Sequence, residues 1–193
     1  MTERCLSLLT QKLGSQIIES SLSLGDAVVR IDRKRIPDFF RILKLDTELS
    51  FNFLSDITAV DWLDSQPSRF EVVYHLGSFT TFLRARVKVW VPESDCTVPS
   101  VVSLWSGANY LEREVWDMYG IKFDGHPDLR KILMYDSFEG FPLRKDYPVQ
   151  GKQPRLPLRS PEVRNTAVDM NRPSLVQISR RTGGTDAHQP RGA

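Results

Sequence analysis

Three patterns predict an α+β domain: a small, mainly antiparallel or mixed sheet packed with helices, followed by an extended C-terminal arm. Apolar residues recur at helical spacing near the N-terminus and again around residue 115. Strict alternation on both sides of a Gly-Ser pair marks a β-hairpin, and prolines without periodicity fill the end of the chain. The predicted division is 1–139 for the α+β core and 140–193 for a basic, proline-rich arm that docks on partner chains.

Leu6, Leu9, Leu13 and Ile17 form one helical stripe, so an amphipathic helix opens the domain. Gly25-Asp26 turns the chain into a short strand over 27–31. Pro37 suits the first turn of a second helix carrying Phe39, Phe40, Ile42 and Leu43. Residues 57–63 are rich in strand formers, with Asp61 and Trp62 as edge and core residues rather than a site.

The hairpin follows. Residues 70–76 alternate, Gly77-Ser78 supplies the Gly-X pair of a type II′ turn, and 79–91 alternate again. A two-residue loop pairs Leu76 with Phe79, Tyr74 with Thr81, Val72 with Leu83 and Phe70 with Ala85, and sets Glu71 opposite Arg84. The other face carries Phe82, Arg84, Arg86, Lys88 and Trp90. Cations interleaved with aromatics can bind single-stranded nucleic acid by stacking and phosphate contact. No Lys/Arg-Gly-Phe stacking motif accompanies them, and long side chains covering a second layer explain the pattern as well.

Special residues concentrate over 112–148. Asn109 with Glu112 three positions on predicts an N-cap. Leu111, Val115 and Met118 make an apolar stripe, and Gly120 suits a left-handed residue ending a helix over 110–119. The carboxylates are not a catalytic pair, because Glu112 and Glu114 diverge by about 160° on a helix. Glu114 and Asp117 share a face, with Arg113 beside Asp117, which predicts a solvated or partner-facing surface. His126 precedes Pro127 and is therefore extended or in a turn. The other histidines, His75 and His188, give it no metal-ligand spacing. Gly140-Phe141-Pro142 and Tyr147-Pro148 set two corners around Leu143, Arg144, Lys145 and Asp146. Prolines that restrict the unbound chain suit a rigidly shaped polar plug for another protein.

The run Glu112-Arg113-Glu114-x-x-Asp117-x-Tyr119-Gly120, then Gly125-His126-Pro127-Asp128-Leu129-Arg130 and Gly140 to Pro148, resembles a known signature. It is that of the 30-kilodalton-type subunit of NADH:quinone oxidoreductase, respiratory complex I (NDH-1). Resemblance extends over roughly 50–150 and departs at 134–138, where a Trp is expected near Phe138.

The resemblance implies a non-redox structural and assembly subunit in the peripheral arm of a proton-translocating enzyme. Its implied neighbours are the subunit that forms the quinone site and the one that carries the terminal iron–sulfur cluster. NADH, FMN, iron–sulfur clusters and quinone then belong to partner chains, with no cofactor, metal or catalytic residue here. Arg113, Arg130, Arg144 and Lys145 would anchor to acidic partner groups. Glu112, Glu114 and Asp117 would orient those cations or meet basic partner groups. Gly120, His126, Pro127, Leu143, Asp146, Tyr147 and Pro148 complete the implied interface. The implied location is the cytoplasmic side of a bacterial inner membrane, or the matrix side of the mitochondrial one, with membrane association only through the complex. The alternatives are the equivalent subunit of a membrane-bound hydrogenase or formate-hydrogen lyase complex, and an RNA-binding protein.

Bulk properties agree with an interaction module. Net charge is +2 over 193 residues, yet from Gly140 onward ten Lys or Arg face four Asp or Glu, which points to an acidic partner. Cys5 and Cys96 form no CxxC pair and fit a reducing compartment. No apolar run approaches the roughly 20 residues of a membrane span. The start lacks a signal peptide's apolar region, so the expectation is a soluble chain made where it works. From 149 onward periodicity is weak, and about 45 extended residues span roughly 150 Å. The arm is expected to be disordered or laid along a partner.

Overall fold

The first helix, α1 (Thr2–Leu13), turns Cys5, Leu9 and Leu13 inward. It stops before Ile17, which the helical stripe had included: Ile17 begins a strand, β1 (Ile17–Ser23), that was not anticipated. The computed structural model describes residues 2–64, 68–150 and 153. β1 is almost wholly exposed and rich in serine, so it offers little apolar alternation to read. It pairs antiparallel with β2 (Asp26–Ile31) across Leu24-Gly25, both at positive φ (50° and 84°), as a type I′ turn requires. The second helix, α2 (Ile36–Leu45), starts at the predicted proline and buries Ile36, Phe39, Phe40 and Leu43.

β3 (Phe53–Asp61), β4 (Phe70–Gly77) and β5 (Arg84–Val91) complete a five-stranded mixed sheet in the order β1-β2-β5-β4-β3. Its single parallel pairing joins β2 to β5. The α+β class holds. The hairpin register does not: Leu76 faces Ala85, Tyr74 faces Val87 and Glu71 faces Trp90, so the turn spans 78–83 rather than two residues. The partner strand has moved by six positions. An even displacement leaves the side chains of β4 and β5 on the faces the alternation assigned to them, whereas Phe79 and Thr81, expected on the inner face, fall in the turn, with Phe79 exposed.

The inner face of the sheet is apolar, with Phe70, Val72, Tyr74 and Leu76 beside Val87, Val89 and Val91. The helices cover it; Phe40 packs on Tyr74 at 4.8 Å and on Trp105 at 5.8 Å between ring centres. On the outer face the interleaved cations are paired within the chain. Buried Glu71 takes Arg30 at 3.3 Å and Lys88 at 3.1 Å, and Asp26 takes both Arg84 and Arg86. This pairing removes much of the free positive charge that phosphate contact needs.

A second, two-stranded parallel sheet joins β6 (Thr97–Pro99) and β7 (Lys122–Asp124) across the third helix, α3 (Ala108–Tyr119). One compact unit runs from Met1 to Gln153. Residues 141–147 pack against this unit, while Pro148, Val149 and Gln150 are exposed. From 154 onward, the expected arm lies outside the described residues.

Candidate partner interface

The helix at the centre of the signature begins two residues earlier than expected. Gly107, without a side-chain cap, precedes it, and Asn109 lies inside the helix rather than capping it. Gly120 ends it in the left-handed region (φ 76°), as predicted, with its amide donating to the Trp116 carbonyl at 2.8 Å.

Glu112 is fully buried. Its Oε1 accepts the Val101 amide and its Oε2 the Ser100 hydroxyl, both at 2.7 Å. Burial pushes this carboxyl up to about 7, against the opposing pull of those two donors. It neither orients the signature arginines nor reaches a partner; it ties α3 to the segment that leads into it. Glu114 is exposed, as a solvated or partner-facing position requires.

Arg113 and Asp117 instead turn to their own chain, contrary to a solvated surface. Arg113 donates from Nε to the Arg130 carbonyl (3.1 Å) and from a terminal nitrogen to the Lys131 carbonyl (3.2 Å). Asp117 Oδ2 accepts three successive amides, Ile132, Leu133 and Met134, at 3.1, 2.9 and 2.8 Å. The i, i+4 pair clamps a loop. His126 adds a third fastener: Nδ1 accepts the Asp128 amide (3.0 Å), which leaves Nε2–H to donate to the Asn109 carbonyl (3.1 Å). Pro127 and Arg130 are exposed, and the Arg130 side chain pairs with Asp128 at 2.9 Å.

The segment 141–147 folds back on the end of α3. The Leu143 amide donates to the Met118 carbonyl (3.1 Å) and Arg144 Nε to the Tyr119 carbonyl (2.6 Å), satisfying carbonyls that a helix end leaves free. Arg144 lies 4.5 Å from the Phe141 ring centre and 5.0 Å from that of Phe70. A Cβ at Gly120 would stand 2.5 Å from Phe141 Cζ, so glycine is needed there for space as well as for backbone conformation. Arg144 is thus an internal fastener, not a free anchor.

Asp61, expected to be an edge or core residue rather than part of a site, and Arg69, which the sequence did not single out, lock the same segment to the sheet. Both are buried, and Arg69 contacts Asp61 (3.2 Å), Asp146 (2.6 Å) and Glu93. Asp61 Oδ2 also accepts the Lys145 amide at 2.8 Å. Burial pushes the Asp61 carboxyl up, but Arg69 and the Lys145 and Leu63 amides outweigh it and hold it below the usual range. Their positions flanking the turn between β3 and β4 were the one available signal. Tyr147 stacks on Phe138, and Gln153 bonds to both Glu139 and Tyr147. Outward from this rigid frame stand Ile132, Leu133, Leu143, Arg130, Lys145 and Pro148.

The family described as "Respiratory-chain NADH dehydrogenase, 30 Kd subunit" matches residues 29–153. The chain belongs to that family. A relative from Geobacter sulfurreducens, named as an NADH-quinone oxidoreductase subunit, is 44% identical over 148 residues, covering 77% of this chain and 90% of its own. The protein of the same name from a Roseiflexus species is 49% identical over 148 residues, covering 77% and 84%. Among solved structures, a trypsin-resistant fragment (1-134) of Nqo5 is 41% identical with a TM-score of 0.56, covering 66% of this chain and 98% of the fragment. A chain of the archaeal membrane-bound sulfane sulfur reductase is 27% identical with a TM-score of 0.66, covering 77% and 86%. As a member of the family, the chain is a peripheral-arm subunit of NADH:quinone oxidoreductase, complex I. No helix among the described residues is long and apolar enough to cross a membrane.

Proposed function

We propose that this protein is a non-redox scaffold that docks through the frame built on α3, with the quinone-site subunit and the terminal iron–sulfur subunit as its neighbours. FMN, iron–sulfur clusters, NADH and quinone are assigned to those and other partner chains, on the cytoplasmic side of a bacterial inner membrane. The observation that carries the reading is the use made of the signature. Glu112, Arg113, Asp117, His126 and Arg144 are committed to carbonyls, amides and a hydroxyl of their own chain. They give a fixed shape to a loop whose outward residues, Leu133, Leu143, Arg130 and Lys145, are left for a partner. Preorganisation of this kind lowers the ordering cost of association.

Anchoring to acidic partner groups accordingly falls to Arg130 and Lys145. Arg130→Glu with Lys145→Glu, in a tagged chain purified from native membranes in mild detergent, is expected to reduce recovery of the flavin and iron–sulfur subunits at least tenfold. Unchanged recovery, with NADH:quinone reductase activity intact, would overturn the docking role. The likeness to a sulfane sulfur reductase chain supports one second reading, the equivalent subunit of a related membrane-bound complex. Copurification of such a reductase or a hydrogenase in place of an NADH-oxidising module would favour it.

A further inference from the structure

β4 ends at two different surfaces. Phe70, at its start, lies beneath Arg144 and the signature. Gly77, at its finish roughly 23 Å away at about 3.3 Å per residue, leads into the turn 78–83. Phe79 and Phe82 stand out from this turn, 68% and 69% exposed, and the Phe53 ring lies 4.9 Å from that of Phe79. With His75, Ser55 and Arg84 these rings border a cavity of about 420 Å³. We propose that this cavity is a second docking site, taking a segment of another protein that carries a large apolar side chain beside an acidic one. The proposal rests on the scaffold reading only in treating the chain as part of an assembly; no signature residue contributes to it.

The turn is tied down by its own hydrogen bonds. The Ser78 amide donates to the Leu83 carbonyl (3.0 Å), the Thr81 amide to Ser78 Oγ (3.0 Å) and the Phe79 amide to Asn52 Oδ1 (3.1 Å). Thr81 Oγ1 donates to the Leu49 carbonyl at 3.1 Å. The backbone that carries the two exposed rings is therefore held in place, and Phe79 also packs on Phe53. Phe82 is held at a φ of 55°, a conformation that costs a bulky L-residue energy, while its ring gains little burial in return. Strained backbone of this kind clusters at binding surfaces. Rigid aromatic rings around a concavity are also what anchors protein contacts.

Charge sets the partner's chemistry. Arg84, whose side chain is 73% exposed, and Arg86 share the single carboxylate of Asp26, at 3.0 and 3.1 Å. Burial and Arg86 hold His75 below its usual range, so the rim's charge comes from the arginines. Asp56 faces His75 from β3 and adds a second carboxylate to this face, so the exposed Arg84 is the cation most open to a partner at the cavity rim, which an acidic residue flanking an apolar anchor complements.

The test places the photoreactive residue p-benzoylphenylalanine in place of Phe79 in the full chain, within the native complex in mild detergent. Irradiation is expected to couple position 79 to one other protein of the complex, at a peptide with Leu, Ile, Met or Phe adjacent to Asp or Glu. Coupling is expected to fall at least tenfold on adding Arg84→Glu, while the isolated variant melts within a few degrees of the parent. Coupling to a second copy, to lipid or nucleic acid, to a peptide without the acid, or only within the chain would overturn the proposal. A parallel probe in place of Leu143 separates the two surfaces. Coupling at 143 with none at 79 sinks this site alone; coupling at neither sinks the scaffold reading too.

Discussion

Arg113 and Asp117, one turn apart on α3, hold opposite poles of one peptide run: the arginine takes the carbonyls of 130 and 131, the aspartate the amides of 132–134. Asp117→Ala leaves three amides without their acceptor and is expected to cost about 2–3 kcal/mol. Arg113→Ala, whose carbonyls can turn to water, costs about 1 kcal/mol. Urea unfolding of the two variants gives the ranking, and equal midpoints would refute it.

Gly120→Ala meets two obstacles at once, a positive φ and the Phe141 ring. A loss of about 2 kcal/mol or more is expected, since the backbone penalty alone is about 1 kcal/mol. Limited proteolysis should find the segment 140–148 newly accessible. Continued protection of that segment would show that Phe141 can yield without releasing Arg144.

Glu112 makes stability depend on pH near neutrality. A buried acid raised to about 7 binds more protons folded than unfolded, so stability falls as pH rises from the ordinary carboxylate range through 7. Glu112→Gln removes the charge while keeping an acceptor for Val101. Relative to the parent it is expected to gain about 2–3 kcal/mol between pH 5 and pH 8. Denaturant midpoints at the two pH values decide it, and a difference that does not move with pH would discard the buried-charge account.

Arg69 binds three carboxylates while nearly buried, so Arg69→Ala strands Asp61 and is expected to cost about 3–5 kcal/mol. Arg69 also holds Asp146 below its usual range. With both acids depressed, their stabilising contribution is present above the ordinary aspartate range and is lost as pH falls through the folded values. Amide hydrogen exchange over 143–147, compared at pH 6 and pH 3 after correction for intrinsic rates, should show local opening at the lower pH.

Phe82→Gly relieves a left-handed conformation at little cost in burial, so the isolated chain is expected to gain up to about 1 kcal/mol. The same substitution weakens the second docking site. A thermal melt paired with incorporation into the complex reads both, and a destabilised free chain would show that the ring was serving the core.

Local chemistry carried far in the sequence. Pro37 announced α2, Gly120 the end of α3, and alternation over β4 and β5 assigned every side chain to its face. The Gly77-Ser78 pair misled because a two-residue turn and the observed turn over 78–83 differ by an even displacement, which alternation cannot distinguish. β1 escaped because its serines face water on a strand paired along one edge. At the interface, helical spacing brought Arg113 and Asp117 together but could not reveal their partners, backbone groups up to 18 residues ahead. Nor could it show Asp61 meeting a backbone amide 84 residues later. Such contacts are non-local, and backbone partners leave no residue-type signal.

β4 has a neighbour on each side, β3 and β5, both antiparallel to it. A pull applied between the signature at its start and the aromatic turn at its finish runs along the strand, across both hydrogen-bond ladders. Force in that direction loads many bonds together in shear, whereas a pull at right angles would open them one at a time like a zipper. Strain passing between neighbours at the two ends would thus load both ladders of β4 in the direction in which they resist most.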